Sequence, residues 1–574
     1  TANTNSINNT AGKLGSSGNI NLTAQTLTNS SGQITAGGAI TSNIAQTILN
    51  DNGIIASTDA LSLSSNALNN SSGIIASTKA QANVNSTGSI NNTKGTIQAA
   101  TALNISGNGL NNTDGTINGS TTTVNSQTGA LNNTRGSIAG DNLTITSGAL
   151  TNDAGLIQGS KALAINTQGQ TLTNINSGTA NGIVSGGTLK VQSGNLNNTG
   201  SISSNADTTI SAANITSQGG SITSLGNATI TGTGFDNQGG QVQSIGNTTV
   251  NLGGGTFNNS NGLVRTDGNT TINANTVNNS NTNGTDKGIE GKNVSLNANN
   301  VDNTSGAIRA DETLSIIGTG TVNNTSGLIT SSNAVVIKDS NAATNPSAKT
   351  QTVINTNGTI SAGQSNTIDS KSLTGDGKVT SNQDLSISLI TDYANTGELT
   401  ADGKLTLNTT GNINNTSKIS AGSDLNVSAT NIDNAANAEI NGNTTSIHAN
   451  DTLTNRGLID GGDTVVTAGN TINNIGTGRI YGNNLSVGTT ILNNIDETIN
   501  GVNKAATIAA REDLDIGAQT INNIEHSSLI SLGDMRIGGA LGSVSGTNNI
   551  AVGKAAVINN NSATIESTGD MSIN

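Results

Sequence analysis

Short stretches in which apolar residues alternate with Ser, Thr and Asn recur along the whole chain. Leu143-Thr144-Ile145-Thr146 presents one apolar and one hydroxyl face, and Leu405-Thr406-Leu407-Asn408 does the same. A period of two is the signature of a half-buried strand, because successive side chains point to opposite faces. Gly, Asn and Asp separate these stretches at the tight spacing that turns require. No segment carries the 3.6-residue periodicity of a long helix.

The alternation is organised into a repeat. Leu131-Asn132-Asn133-Thr134-Arg135-Gly136-Ser137-Ile138 parallels Leu110-Asn111-Asn112-Thr113-Asp114-Gly115-Thr116-Ile117 and Leu68-Asn69-Asn70-Ser71-Ser72-Gly73-Ile74-Ile75. Each is an aliphatic residue, two polar residues (usually Asn), a short polar stretch, Gly, any residue, then Ile. A second motif follows, such as Leu143-Thr144-Ile145 or Leu61-Ser62-Leu63. The leading apolar position is read at Ile7, Leu27, Leu49, Leu68 and onward to Ile521, mostly about 19 to 22 residues apart, which implies about 26 or 27 copies. Phe235, Phe257 and Tyr393 occupy this same leading position.

A period near 20 with about three short strands fits one turn of a parallel β-helix. Turns stack at the inter-strand spacing of about 4.8 Å, so this many copies predict a rod about 130 Å long. Leu131, Ile138, Leu143 and Ile145 would fill its lumen. The paired Asn residues have three candidate roles: tolerance of left-handed backbone, hydrogen bonds to nearby backbone groups, and amide ladders between identical side chains on successive turns. Burying about four aliphatics per turn yields roughly 1.5–3 kcal/mol each, while ordering a residue's backbone costs roughly 1–2 kcal/mol. One turn therefore cannot stand alone, and stability must accumulate over neighbours.

Composition narrows the class. Aromatics are 1% and charged residues 10% of the 574 residues, Pro occurs once, Cys and Trp never, and about one residue in six is Asn. Ordinary domains are about 25% charged. Gly follows no three-residue period, which excludes collagen, and no apolar run approaches the roughly 18 residues of a membrane span. The net charge of -13 is spread thinly. Without clustered Lys and Arg, nucleic acid is not an expected partner. The chain begins and ends inside its own pattern, so residues 1–574 read as one continuous β-helical rod, an internal fragment of a larger protein. Irregular coils or inserts fall near 281–292, 337–350 and 495–520. They read as loops on the outside of the rod, with ligand-contacting protrusions as the functional alternative.

No catalytic constellation stands out. The two histidines, His448 and His526, are several turns apart. Asp311-Glu312 and Glu512-Asp513 are adjacent pairs, which on a strand face opposite sides. There is no phosphate-binding loop, no dinucleotide fingerprint and no calcium-binding Gly-Gly-x-Gly-x-Asp repeat. Catalytic residues, metal ligands and cofactors are all expected to be absent.

The motif L-N-N-T-x-G-x-I followed by L-x-I/L resembles the filamentous haemagglutinin repeat region of two-partner-secreted exoproteins, the family of filamentous adhesins and contact-dependent growth inhibition effectors. The resemblance covers nearly the whole chain. It implies an all-β, right-handed, three-sheet parallel β-helix, exported through an outer-membrane β-barrel transporter to the extracellular face of a Gram-negative cell. The implied function is a structural stalk or adhesin segment, without enzymatic activity, that projects a receptor-binding or toxin-bearing end toward a target cell. The alternative is a β-helical protein that binds or cleaves polysaccharide, in the manner of a tailspike or lyase. A groove gathering three or more carboxylates or basic groups would separate the two.

Overall fold

The computed structural model describes residues 1–178, 180–544 and 547–574. The chain divides into two compact units, residues 1–292 and 293–574. Both are parallel β-solenoids, and the repeat runs to about 26 turns of about 21 residues. No α-helix occurs among the described residues; two short 3-10 turns are the only helical elements there.

In the first unit a representative turn consists of Ile54–Ser57, Leu61–Ser65 and Ala67–Asn69. These pair in parallel with Ile74–Ser77, Ala82–Ser86 and Ile90–Asn91 of the next turn. In the second unit Lys378–Ser381, Asp384–Leu389 and Tyr393–Asn395 precede Glu398–Ala401, Leu405–Thr409 and Ile413–Asn415. Each turn thus contributes one strand to each of three sheets. The lumen is filled as the alternation predicts: Leu131, Ile138, Leu143 and Ile145 are buried, as are Phe235, Phe257 and Tyr393. The two phenylalanine rings stack on adjacent turns with centroids 5.2 Å apart.

Every position of the L-N-N-T-x-G-x-I motif has a physical assignment. The first Asn faces outward, and Asn132 Oδ1 accepts from the backbone N–H (3.0 Å) and hydroxyl (2.7 Å) of Thr134. The second Asn points inward and is fully buried. Asn133 Nδ2 donates to Asn152 Oδ1 on the next turn (2.8 Å), to Gly136 O (3.2 Å) and to Leu156 O (3.1 Å). In the first unit this amide ladder runs from Asn9 through Asn29, Asn50, Asn70, Asn92 and Asn112 to Asn198, with steps of 2.7–2.9 Å. Ser217 interrupts it. Asn198 donates to the Ser217 hydroxyl at 3.2 Å, and Asn237 Oδ1 is left buried without a partner. In the second unit the ladder links Asn303, Asn324 and Asn355, lapses at the turn containing Gly375 and Gly377, and resumes from Asn395 to Asn560.

The x position carries the left-handed backbone: φ is 53° at Ser72, 54° at Lys94, 55° at Asp114 and 52° at Arg135. Left-handed tolerance therefore does not explain the paired Asn; the first is explained by its bonds to the backbone and hydroxyl of the Thr two residues on, and the second by the ladder. Gly is required by space. A Cβ at Gly136 would lie 2.1 Å from Asn112 O and 2.6 Å from Asn133 Oδ1.

Two readings of the repeat need correction. The register aligns Leu27 with Ile48 and Ile48 with Leu68, so Ile48, not Leu49, is the lumen residue. Only one of two consecutive aliphatics can face inward, and Asn50, fixed in the ladder, decides which. The leading position also does not end at Ile521. Ile558 stacks on Ile521, the long interval being taken up by an antiparallel hairpin inserted between the second and third strands of one turn.

The irregular stretches are pinned to the solenoid. Arg265 holds the segment near 281–292 through Asp286 (2.9 Å) and Glu290 (2.7 Å), while Ile289 returns to the lumen above Val264. In the stretch near 337–350, buried Asp339 accepts from the N–H groups of Asn341 (2.8 Å), Gln351 (2.6 Å) and Thr350. Lys349, also buried, reaches Asp369 Oδ1 at 2.5 Å and donates to Ser388 O at 3.1 Å. In the stretch near 495–520, Glu497–Ile499 and Val502–Lys504 form a small hairpin tied down by Arg456 and Glu497 at 3.1 Å.

Replacing Asn133 with Leu strands the Asn152 acceptor in the lumen and removes one of the three bonds of the Asn112 amide, and should lower stability by about 2–5 kcal/mol, read as the shift of the urea midpoint. Burial pushes the Tyr393 phenol up from its ordinary value of about 10. The unfolded chain ionises first, so this contribution to stability is present below about pH 10 and is lost as pH rises above it. Alkaline titration should show the Tyr393 phenolate absorbance appearing together with loss of the β circular-dichroism signal.

Candidate functional site

On the flank of the second unit, Val465, Ser486, Asp515 and Arg536 stand in register on four successive turns. Two residues further along each of the last three strands, Gly488, Gly517 and Gly538 form a row of their own. The row begins above Thr467, so three bare backbones follow a side chain. The hairpin Ala540–Val544 and Thr547–Val552 folds back onto these glycines. A Cβ at Gly517 would lie 2.1 Å from Ala540 C, and one at Gly488 would lie 2.8 Å from Leu541 Cδ1. The glycines are therefore the seat of the hairpin.

Asp515 locks it there. Its side chain is 8% exposed; Oδ1 accepts from Arg536 Nε (2.9 Å) and from the Ala551 N–H (2.9 Å), and Oδ2 from Arg536 Nη2 (3.0 Å). Arg536 Nη2 also reaches Asp513 Oδ2 at 3.2 Å. The hydrogen bonds that Arg536 donates to Asp515, then the charge of Asp515 and the bond and charge of Asp513, raise the guanidinium pKa against the opposing effect of burial. A forked arginine between two carboxylates is geometrically restrictive and fixes both the row and the hairpin.

Between the row and the hairpin lies a cleft of about 430 Å³. Its polar lining includes Asp463, Asn484, Asp513, Asp515, Arg536 and Asn549. It gathers three carboxylates and one arginine, the feature that separates a polysaccharide-acting protein from a bare stalk. Their employment matters. Asp515 and Asp513 are both engaged by Arg536, and Asp513 Oδ1 also accepts from the Asp534 N–H (3.0 Å). Asp463 accepts only from Asn484 Nδ2 (2.9 Å).

Glu512 is exposed, whereas Asp513 turns into the cleft. Glu312 is half-buried and lies 3.4 Å from Asn293 Nδ2, with Asp311 exposed beside it. His448 is exposed and meets Thr467 Oγ1 at 2.9 Å; His526, also exposed, lies 3.7 Å from Asp496. Among the described residues no group of three or more His, Asp or Glu is arranged to hold a metal ion. The sequence reading passed over the cleft, although it left a signal: Gly recurs one residue after the apolar pair in Val487-Gly488, Ile516-Gly517 and Ile537-Gly538, where other copies place a side chain.

Six segments, residues 80–135, 121–179, 184–245, 243–289, 400–457 and 498–574, match the family model of the haemagglutinin repeat. Together they cover more than half of the chain. The chain belongs to the haemagglutinin repeat family. No curated protein and no solved structure matches it. Haemagglutinin repeats are structural and adhesin-type sequences, typical of secreted and cell-surface proteins. No helix among the described residues is long and apolar enough to cross a membrane. The segment 498–574 contains the hairpin together with Gly517 and Gly538, whereas Gly488 and the Asp463 and Asn484 side of the cleft lie between two matched segments.

Substituting Gly517 with Leu should dislodge the hairpin while leaving the lumen intact. The expected outcome is faster hydrogen exchange at the Ala551 amide, by about tenfold or more, and new protease sensitivity confined to residues 540–552.

Proposed function

We propose that this chain is a segment of an extracellular stalk in a large adhesin-type exoprotein of a Gram-negative bacterium. The stalk projects a receptor-binding or toxin-bearing end toward another cell. The observation that carries the reading is the buried amide ladder within each unit. Nearly every turn hands its Nδ2 donor to the next, with lapses at Ser217 and at the turn of Gly375 and Gly377, so turns add one at a time and the stack has no preferred length. Low charge and the absence of cysteine suit passage of an unfolded chain through an outer-membrane β-barrel partner, with folding as successive turns emerge. In a solenoid, stability is a sum over adjacent repeats and folding can nucleate and propagate along the chain.

A second reading, a protein acting on polysaccharide, draws support from the cleft with its three carboxylates and arginine. Glycoside cleavage requires two carboxyl groups free to act as acid and as base or nucleophile. Here two of the three are bound to Arg536, which favours binding over cleavage.

Electron microscopy of the whole chain should show rods about 120 Å long, from about 26 turns at the strand spacing; compact globules would exclude the stalk. The chain diluted from denaturant should regain its β signal without a chaperone. A chain that stays unfolded would rule out growth turn by turn.

A further inference from the structure

We propose that the cleft between the Ser486–Asp515–Arg536 row and the hairpin Ala540–Val552 is a binding site for an oligosaccharide that carries no anionic group. The inference rests on the adhesive part of the function above and names the ligand class for one site.

Three properties of the cleft point there. The first is unspent hydrogen-bonding capacity of both kinds. Asp463 Oδ1 accepts from Asn484, leaving Oδ2, and Asn484 keeps its own Oδ1. Arg536 uses Nε and Nη2 on Asp515 and Asp513, leaving Nη1. The Ser486 hydroxyl and the Asn549 amide complete the lining. A ligand that both donates and accepts at closely spaced positions matches this set, and sugar hydroxyls do so. The apolar contribution is small, from Val465 and Ile550, so an apolar ligand or a hydrophobic peptide has little to bury.

The second property is charge. The cleft is lined by three carboxylates and one guanidinium, and the site lies on a chain whose net charge is -13. A sulfate, uronate or sialate would enter against that field. A neutral or amino sugar would not, and carboxylate acceptors give its hydroxyls charge-assisted hydrogen bonds.

The third property is preorganisation. One wall is a three-sheet solenoid, and the other is the hairpin held by Asp515 through the Ala551 N–H. Neither wall has to order itself when a ligand enters, which lowers the entropic cost of binding. A volume of about 430 Å³ falls within the range of small-ligand sites.

The test uses the full chain on an array of neutral, amino-bearing, sialylated and sulfated oligosaccharides. The best uncharged or amino hit is then titrated calorimetrically against the chain and three variants. Asp463→Ala and Asn549→Gly alter the cleft; glycine suits the left-handed backbone at Asn549, where φ is 61°. Asp424→Ala, two turns earlier on the same outward row as Asp463, is the control. The expected result is retention of neutral or amino glycans, binding weakened about tenfold by Asp463→Ala and about threefold or more by Asn549→Gly, and no change with Asp424→Ala. Circular-dichroism melts confirm that each variant is folded.

The proposal is overturned if no neutral or amino glycan binds, if sialylated or sulfated glycans are preferred, or if both cleft variants bind as the parent does. It is also overturned if an oligolysine peptide occupies the cleft in place of any sugar, or if reducing ends accumulate, which would make the site catalytic. The stalk is judged separately by the length of the imaged rods, so failure here leaves that result standing.

Discussion

Within each unit, the constraint on which the rest depends is the hydrogen bond that a buried asparagine amide makes with the next asparagine, about 2.8 Å away on the following turn. A primary amide both donates and accepts, so each side chain can satisfy one neighbour on either side and fully bury itself without an orphan. Identical side chains in register are the condition, and a slip of one residue would turn the amide out of the lumen. The ladder thereby sets the register of every strand that follows. The glycine three residues on is a consequence, since the backbone of the preceding turn passes where its Cβ would stand. The left-handed residue before that glycine closes the corner.

Much of the molecule follows from this local rule. Lumen side chains contact only the turns above and below, so packing is settled between sequence neighbours about 20 residues apart. Lapses in the ladder show what the rule contributes. At Ser217 the hydroxyl accepts one amide but does not pass the interaction on, and Asn237 is left with a buried, unsatisfied oxygen. At Gly375 and Gly377 the amide is missing altogether, and Asn355 keeps its bond to the backbone of Lys378 at 3.0 Å without an amide partner on the next turn. Neighbouring turns carry such places, because strand pairing and aliphatic stacking continue through them.

A uniform scaffold gains individuality on its outside. Outward positions obey no packing rule, so a segment can leave and re-enter the stack if something holds it. Four devices do so among the described residues: the Arg265 fork onto Asp286 and Glu290, the buried Asp339 and Lys349, the Arg456 pair with Glu497, and the glycine row with Asp515. The last encloses a cleft, because its hairpin lies along the flank, where glycines give it room beside a polar row. Function beyond length is thus added without altering the lumen.

The repeat, the strand alternation, the inward faces and the amide ladder were legible in the order of residues. Each is decided between residues close in sequence or one period apart, and a motif written many times over exposes its own spacing. The sequence was ambiguous where two apolar residues adjoin, as at Ile48 and Leu49, since alternation alone fits either; the ladder through Asn50 resolved it in three dimensions. The burial of Lys349, the seat of the hairpin on Gly488, Gly517 and Gly538, and the meeting of Asp463, Asp513, Asp515 and Arg536 were decided by tertiary structure alone. These join side chains from different turns to an inserted segment, and where an insertion comes to rest depends on the surface that neighbouring turns offer it, which no local period encodes.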